Sequence, residues 1–181
     1  FGVELGSITL DTECNPYSAY GKSKLEADIC IQKMSTRNFK VCIIRPPMIY
    51  GKGCKGNYTK LERFALHFPI FPSLENKKNF IYIENVSDFI KYLIDKELGG
   101  VFYPTDSELI STVKIVKGVA RVNGKRIYLW RVFNPLIKFL IKHNMTVKKI
   151  FGDNYYEIND ESGWKAPYTF EDALERIYNN E

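Results

Sequence analysis

The spacing of apolar and polar residues changes several times along the chain, and each change predicts an element. Residues 3 to 17, with Gly6, Asp11, Glu13, Asn15 and Pro16, read as an irregular loop. From Ser18 to Ser35 the pattern predicts a helix, with Leu25, Ile29 and Met34 on a buried face and Lys22, Glu26 and Lys33 on a solvated one. Val41 to Ile44 is a β-branched apolar run that stops at Arg45-Pro46-Pro47, which predicts a buried strand over 40–45 running into a loop. Tyr58 to Phe68 is amphipathic with a helical period, Pro69 to Pro72 breaks it, and Lys77 to Ile83 alternates as a strand does. A helix over Glu84–Lys96 would turn Val86, Phe89, Ile90, Leu93 and Ile94 inward, and Gly100–Tyr103 would return as a short strand. Ser111 or Thr112 would cap a further helix that Asn123-Gly124 ends. Leu129–Val132 reads as a strand, and Pro135–Lys142 and Phe170–Tyr178 as helices.

Composition changes this picture little. A chain of 181 residues, 45% hydrophobic and 26% charged, can bury one respectable core. No apolar run approaches the ~18 residues of a membrane span, so a cytoplasmic location is expected. Cys14, Cys30, Cys42 and Cys54 show no CxxC pairing; Cys30 and Cys42 fall on apolar helix and strand positions and are expected to be reduced core residues. The two histidines, His67 and His143, lie far apart without ligand spacing, which suggests neither zinc nor histidine acid/base chemistry.

Charge is distributed unevenly. Between Lys114 and Lys149 there is no Asp or Glu, and this stretch accounts for the net charge of +5. It reads as a solvated basic face or one near a diphosphate-bearing substrate, or, through the lysine-bearing apolar segment 133–142, as a peripheral contact with an anionic membrane. No recognition helix, zinc motif or aromatic-basic sheet accompanies the charge, which argues against nucleic acid.

Candidate chemistry starts at Tyr20-Gly21-Lys22-Ser23-Lys24. Residues four apart share a helix face, and an ammonium beside a phenol favours the phenolate, so Tyr20 and Lys24 can form an acid/base pair. The order of this helix, a buried strand, Arg45-Pro46-Pro47 and Tyr50-Gly51-Lys52-Gly53 resembles the extended short-chain dehydrogenase/reductase family, the NAD-dependent sugar-nucleotide epimerases and dehydratases. Lys55-Gly56-Asn57-Tyr58, the stretch Asn76 to Ile90, and Gly163-Trp164-Lys165-Ala166-Pro167 followed by Thr169 to Leu174 extend the resemblance in the family's order.

The resemblance implies an α/β protein: the C-terminal part of a doubly wound Rossmann-type sheet with a small mixed α/β substrate-binding lobe. Residues 1–50 would be a remnant of the NAD-binding domain and 51–181 mainly the substrate lobe, with 84–106 returning to the Rossmann part. It further implies that Tyr20 is the acid/base on a sugar hydroxyl and that Lys24 holds the nicotinamide ribose. Pro47 would meet the carboxamide edge of the cofactor, while Asn57 and Lys78 would contact the substrate diphosphate, Lys78 standing where many members carry an arginine. NAD is the implied cofactor, with NADP not excluded. A UDP-sugar is the implied substrate, and a homodimer through residues 18–35 the implied assembly.

No Gly-rich phosphate-cradling turn occurs in the chain, and Phe1-Gly2 resembles an aromatic-glycine pair that follows a third active-site residue in the family. The expected identity is therefore the C-terminal part of a UDP-glucose/UDP-galactose-type 4-epimerase, inactive by itself. Asn79, Tyr82 and Asn85 depart from typical 4-epimerases and favour the branch of the family that includes 4-keto-sugar reductases of surface-polysaccharide synthesis, so an NAD(P)-dependent 4-keto-sugar reductase or dehydratase is the alternative. A non-catalytic dimerisation or binding module is the remaining alternative.

Overall fold

The computed structural model describes residues 6–158 and 162–179. Its elements alternate between strands and helices. In chain order they are β1 (Gly6–Ile8), α1 (Ala19–Gln32), β2 (Cys42–Ile44), β3 (Met48–Tyr50), α2 (Asn57–His67), β4 (Ile70–Pro72), β5 (Phe80–Tyr82) and α3 (Ile83–Asp95). There follow β6 (Gly100–Phe102), α4 (Thr112–Val122), β7 (Tyr128–Trp130), a 3-10 turn (Arg131–Phe133), α5 (Asn134–His143), α6 (Met145–Phe151), β8 (Asn154–Tyr156) and α7 (Phe170–Asn179).

Every strand pairing among the described residues is parallel: β1 with β8, β2 with β6, β3 with β5 and β4 with β7. Parallel neighbours need crossover connections, and α2 and α3 are the helices that supply them near the centre. The strand returning at 100–103 is thus found in register with 42–44, Cys42 opposite Gly100. Lys78 also bridges Asn154 in parallel, tying the approach to β5 to the β1–β8 pair.

The core lies where α2, α4 and α7 meet β3 and β5. Tyr50 sits at its centre with its ring 5.7 Å from Tyr58, 6.3 Å from Phe80 and 6.0 Å from Phe170. Val113, Val116, Val119 and Ala120 of α4 pack there with Leu174 and Ala173 of α7. Gly118 is required at this crossing, because a Cβ would stand 2.6 Å from Leu174 Cδ1. Gly51, at φ 150°, is required for a similar reason: a Cβ would meet Ile83 Cγ2 at 2.5 Å.

One polar network is buried inside this apolar shell. Asp106, 2% exposed, accepts from Tyr50 Oη at 2.8 Å, from Asn85 Nδ2 at 2.7 Å and from the Tyr82 amide at 3.1 Å. Asn85 in turn clamps both backbone groups of Tyr168. Burial raises the Asp106 carboxyl above its ordinary range, and the three donors oppose that shift without cancelling it.

Several expectations need correction. Segment 3–17 contains β1, whose pairing with β8 spans the most sequence of the four strand pairings among the described residues; β3, β4, α6 and β8 are further elements beyond those expected. In α3, Val86, Phe89 and Leu93 face inward, but Ile90 and Ile94 are exposed, beside an open depression shared with Cys42 and Ile44. Helix α1 ends at Gln32 and buries no residue; Ile29 and Met34 are exposed. Its strand contact is with β2, which pairs with β6 in a two-stranded ladder about 5 Å wide, and a helix of about 10 Å diameter cannot be covered by so narrow a support. Cys30, on α1, and Cys42, on β2 beside that open depression, are likewise exposed and not core residues. Among the described residues, no helix is long and apolar enough to cross a membrane.

Candidate active site

The chain builds a cleft of about 310 Å³ at the carboxyl ends of β1 and β2, where open parallel sheets place their ligand sites. Each wall has a local cause. Pro46 and Pro47 fix the path of the backbone between β2 and β3. Gly56, at φ 119°, is the N-cap of α2 and makes no side-chain cap bond, so Asn57 opens the helix in the cleft wall and is not its cap. The start of a helix favours anions, because its first amides point outward without partners.

The opposite wall comes from α6, which brings Lys148 and Lys149 to the cleft. The C-terminal carbonyls of α6 are collected by three side chains from elsewhere. Asn76 Nδ2 donates to the carbonyls of Ile150 and Gly152, Thr112 Oγ1 to that of Ile150 at 2.7 Å, and Lys78 Nζ to that of Lys149 at 2.9 Å. Lys78 is only 6% exposed, and burial lowers its ammonium to about 8, with Asp153 pulling the other way. Asn79 accepts the Tyr156 amide at 2.6 Å, which seats β8 against the floor. Among the described residues the cleft lining carries three lysines and no carboxylate.

A smaller cleft of about 210 Å³ adjoins the first, with Pro46 and Tyr156 common to both. Lys24 and Gly21 of α1 line it. Ser18 caps α1 by accepting the Gly21 amide at 3.0 Å, and Gly21 lets Asn15-Pro16 close onto the first turn, since a Cβ there would lie 2.6 Å from Pro16 Cβ. Asp28, one turn beyond Lys24, pairs with Arg45 at 2.8 Å and so ties α1 to the end of β2. Tyr156 donates its hydroxyl to the Arg45 carbonyl at 3.2 Å, and burial pushes its phenol up to about 12.

Of the five residues singled out from sequence, four line the two adjoining clefts and Tyr20 lines neither. Pro47, Asn57 and Lys78 come together in the larger. Lys24 lies in the smaller, its Nζ 5.8 Å from the centre of the Tyr20 ring, and Tyr20 itself is 74% exposed. Phe1-Gly2 lies outside the described residues. The Asp28–Arg45 pair, Tyr156 and the α6 lysines were not singled out. Arg45 stood in the Arg-Pro-Pro motif, and Lys148-Lys149 in the acid-free run, so a signal existed for these; for Tyr156 there was none. No cluster of His, Cys, Asp or Glu suited to a metal occurs among the described residues.

The sequence pattern of the NAD dependent epimerase/dehydratase family matches residues 3–102. UDP-glucose 4-epimerase of Vibrio cholerae is 28% identical over 177 residues, covering 89% of this chain and 53% of that protein. The N-acetyl-alpha-D-glucosaminyl-diphospho-ditrans,octacis-undecaprenol 4-epimerase of Escherichia coli O157:H7 is 25% identical over 187 residues, covering 90% and 56% respectively. Among solved structures, UDP-N-acetylglucosamine 4-epimerase from Bacillus cereus shares the fold with a TM-score of 0.70 at 14% identity, over 96% of this chain and 58% of its own. The chain thus spans about half the length of the curated relatives it matches.

Proposed function

The chain belongs to the NAD dependent epimerase/dehydratase family, and on that premise we propose that it is the C-terminal part of a UDP-sugar 4-epimerase of the UDP-glucose/UDP-galactose type. Residues 1–50 would belong to the cofactor domain and 51–181 mainly to the substrate lobe, with 84–106 returning to the former. The observation that carries the reading is the larger cleft, which joins Pro47, Asn57 and Lys78 under a lysine-only charge. A nucleoside diphosphate is the ligand such a lining favours, with the α2 N-terminus adding its amides.

In this reading the smaller cleft takes the ribose end of NAD, and the residues present fit that role. Lys24 offers an ammonium within it, and the shared wall of Pro46 and Tyr156 would keep the cofactor edge next to the sugar. Bound NAD supplies a hydride acceptor that can return the hydride to either face of a sugar ring. The chain's own residues do the rest. Tyr20 would take the proton from the C4 hydroxyl and later give it back, with the Lys24 ammonium 5.8 Å from the centre of its ring. Asn57 and Lys78 would hold the diphosphate, Lys78 as a point charge without the arginine fork. The Pro46-Pro47 loop would keep water from the keto sugar. The exposed Ile29 and Ile31 of α1, with Met34 just beyond its end, support a homodimer through residues 18–35, and the cytoplasm is the proposed location.

Two measurements test the proposal. Calorimetry with UDP should show binding to this chain, weakened at least about tenfold by Asn57→Ala. The complete polypeptide should interconvert UDP-glucose and UDP-galactose with NAD neither gained nor lost overall. Net consumption of reduced cofactor would instead identify a 4-keto-sugar reductase, and the absence of both UDP binding and conversion would sink the reading.

A further inference from the structure

We propose that β7, the 3-10 turn after it and α5 form a docking surface for an anionic lipid membrane. The feature is a continuous stretch of large apolar side chains left in water. Val132 is 71% exposed, Phe139 60%, Tyr128 59%, Leu136 55% and Trp130 46%. The Trp130 and Phe133 rings stack at 5.9 Å, 12° from parallel, and Phe139 lies on His143 at 4.6 Å, so these aromatic groups are held in place rather than splayed.

Helix α5 divides into two faces. Ile137, Leu140 and Ile141 turn inward and are half-buried, while Leu136, Phe139 and His143, spaced by three and four, point out. Lys138 and Lys142, four apart, run along the adjoining line. This is the arrangement of a helix that lies in a membrane interface, an apolar stripe flanked by lysines, with Trp and Tyr beside it. At ten residues α5 is too short to span a bilayer.

Charge selects the occupant. No acidic residue occurs from Lys114 to Lys149. Lys114 and Arg121 are paired with Glu108 and Glu171, but Arg126, Arg131, Lys138 and Lys142 have no acid partner among the described residues. A second copy of this chain, packed face to face across a two-fold axis, would bring the same lysines together and be repelled. A nucleic acid would neutralise the cations and leave Val132, Leu136 and Phe139 in water. An anionic bilayer satisfies both, taking the apolar stripe at the depth of the headgroup boundary and the cations at the phosphates.

Helix α6 packs on α5 and supplies Lys148 and Lys149 to the larger cleft, so docking would bring that cleft close to the lipid surface. The inference stands whatever reaction the cleft supports, because none of the residues it uses lines that cleft.

The test is flotation of the full chain with phosphatidylcholine vesicles, with and without phosphatidylglycerol. Binding is expected with phosphatidylglycerol and at least about tenfold weaker without it. Lys138→Glu with Lys142→Glu, and separately Leu136→Ser with Phe139→Ser, should each lower binding at least about tenfold. Circular dichroism should show that both variants remain folded, and a fluorescence blue shift on binding should be lost in Trp130→Phe. Equal binding to both vesicle types, or unchanged binding by both folded variants, would overturn the proposal. So would a dimer that Phe139→Ser dissociates in a chain that does not float, since the patch would then be covered by a second copy.

Discussion

Asp28 on α1 and Arg45 at the end of β2 form a 2.8 Å ion pair, with a second bond from Arg45 Nε to the same carboxylate at 2.9 Å, and Arg45 immediately precedes Pro46-Pro47. Through this pair the helix carrying Tyr20 and Lys24 is fixed to the loop that walls both clefts. Their side chains are 12% and 22% exposed, so water screens the pair only in part. Asp28→Asn is expected to cost about 1–3 kcal/mol of stability, read from the urea midpoint. In the complete polypeptide it should also lower turnover more than substrate affinity, since the α1 residues would lose their seat while the larger cleft stays intact.

If Tyr20 is the acid/base group, Tyr20→Phe in the complete polypeptide should lower kcat by at least ~10²-fold and leave nucleotide-sugar binding nearly unchanged. Wild-type turnover in that variant would remove Tyr20 from the chemistry. Its exposure makes the substitution safe for the fold, so a loss of rate would not reflect unfolding.

Lys78 offers a test in which function and stability move apart. Its ordinary value of 10.5 is lowered to about 8 in the fold, so the native state disfavours the ammonium. Below pH 8 the full cost, roughly 3–4 kcal/mol, is present. Between about 8 and 10.5 the native state has shed the proton while the unfolded chain still holds it, and stability rises with pH across that window. Lys78→Met should abolish that rise, keep or raise stability at pH 7, and weaken UDP binding at least about tenfold. An unchanged Kd would move the phosphate contact to Lys148 or Lys149.

Asp106 behaves in the opposite sense. Its carboxyl is raised from 3.8, so the contribution of its protonated form is present below that value and is lost as pH climbs through the native one. Asp106→Asn can keep the bonds from Asn85 and the Tyr82 amide, and should be nearly neutral at pH 7 while flattening that part of the stability profile. Asp106→Leu would leave the Tyr50 hydroxyl, Asn85 Nδ2 and the Tyr82 amide without their shared acceptor. A cost of about 3–5 kcal/mol in denaturant titration is expected.

Elements that bury a periodic apolar stripe were readable from the sequence. Helices α2, α4 and α7 and the existence of strands β2 and β6 follow from spacing, because packing and period agree there; the pairing of those two strands with each other does not. The failures occur where they do not agree. Helix α1 has an apolar stripe that buries nothing, and Ile94 extends the stripe of α3 past the edge of its support. Strands β1 and β8, Gly-Ser-Ile and Asn-Tyr-Tyr, are short and lack alternation, and only their long-range pairing makes them strands. At the candidate site the motif residues could be picked by residue type. That Lys78 would be buried on the Lys149 carbonyl could not, because that bond depends on α6, a helix of seven residues with no buried side chain.

The pairing of Gly6 with Asn154 also bears on how the protein is made. Parallel pairings between distant segments close large loops before any contact repays the lost entropy, and they slow folding. The floor of the larger cleft uses Ile8, Asn154 and Tyr156 together, so it cannot exist on a ribosome-bound chain until β8 has left the exit tunnel. The α2–α4 region, whose contacts are more local, can be in place well before, and a pulse of hydrogen exchange during refolding should find α4 amides protected earlier than those of β1.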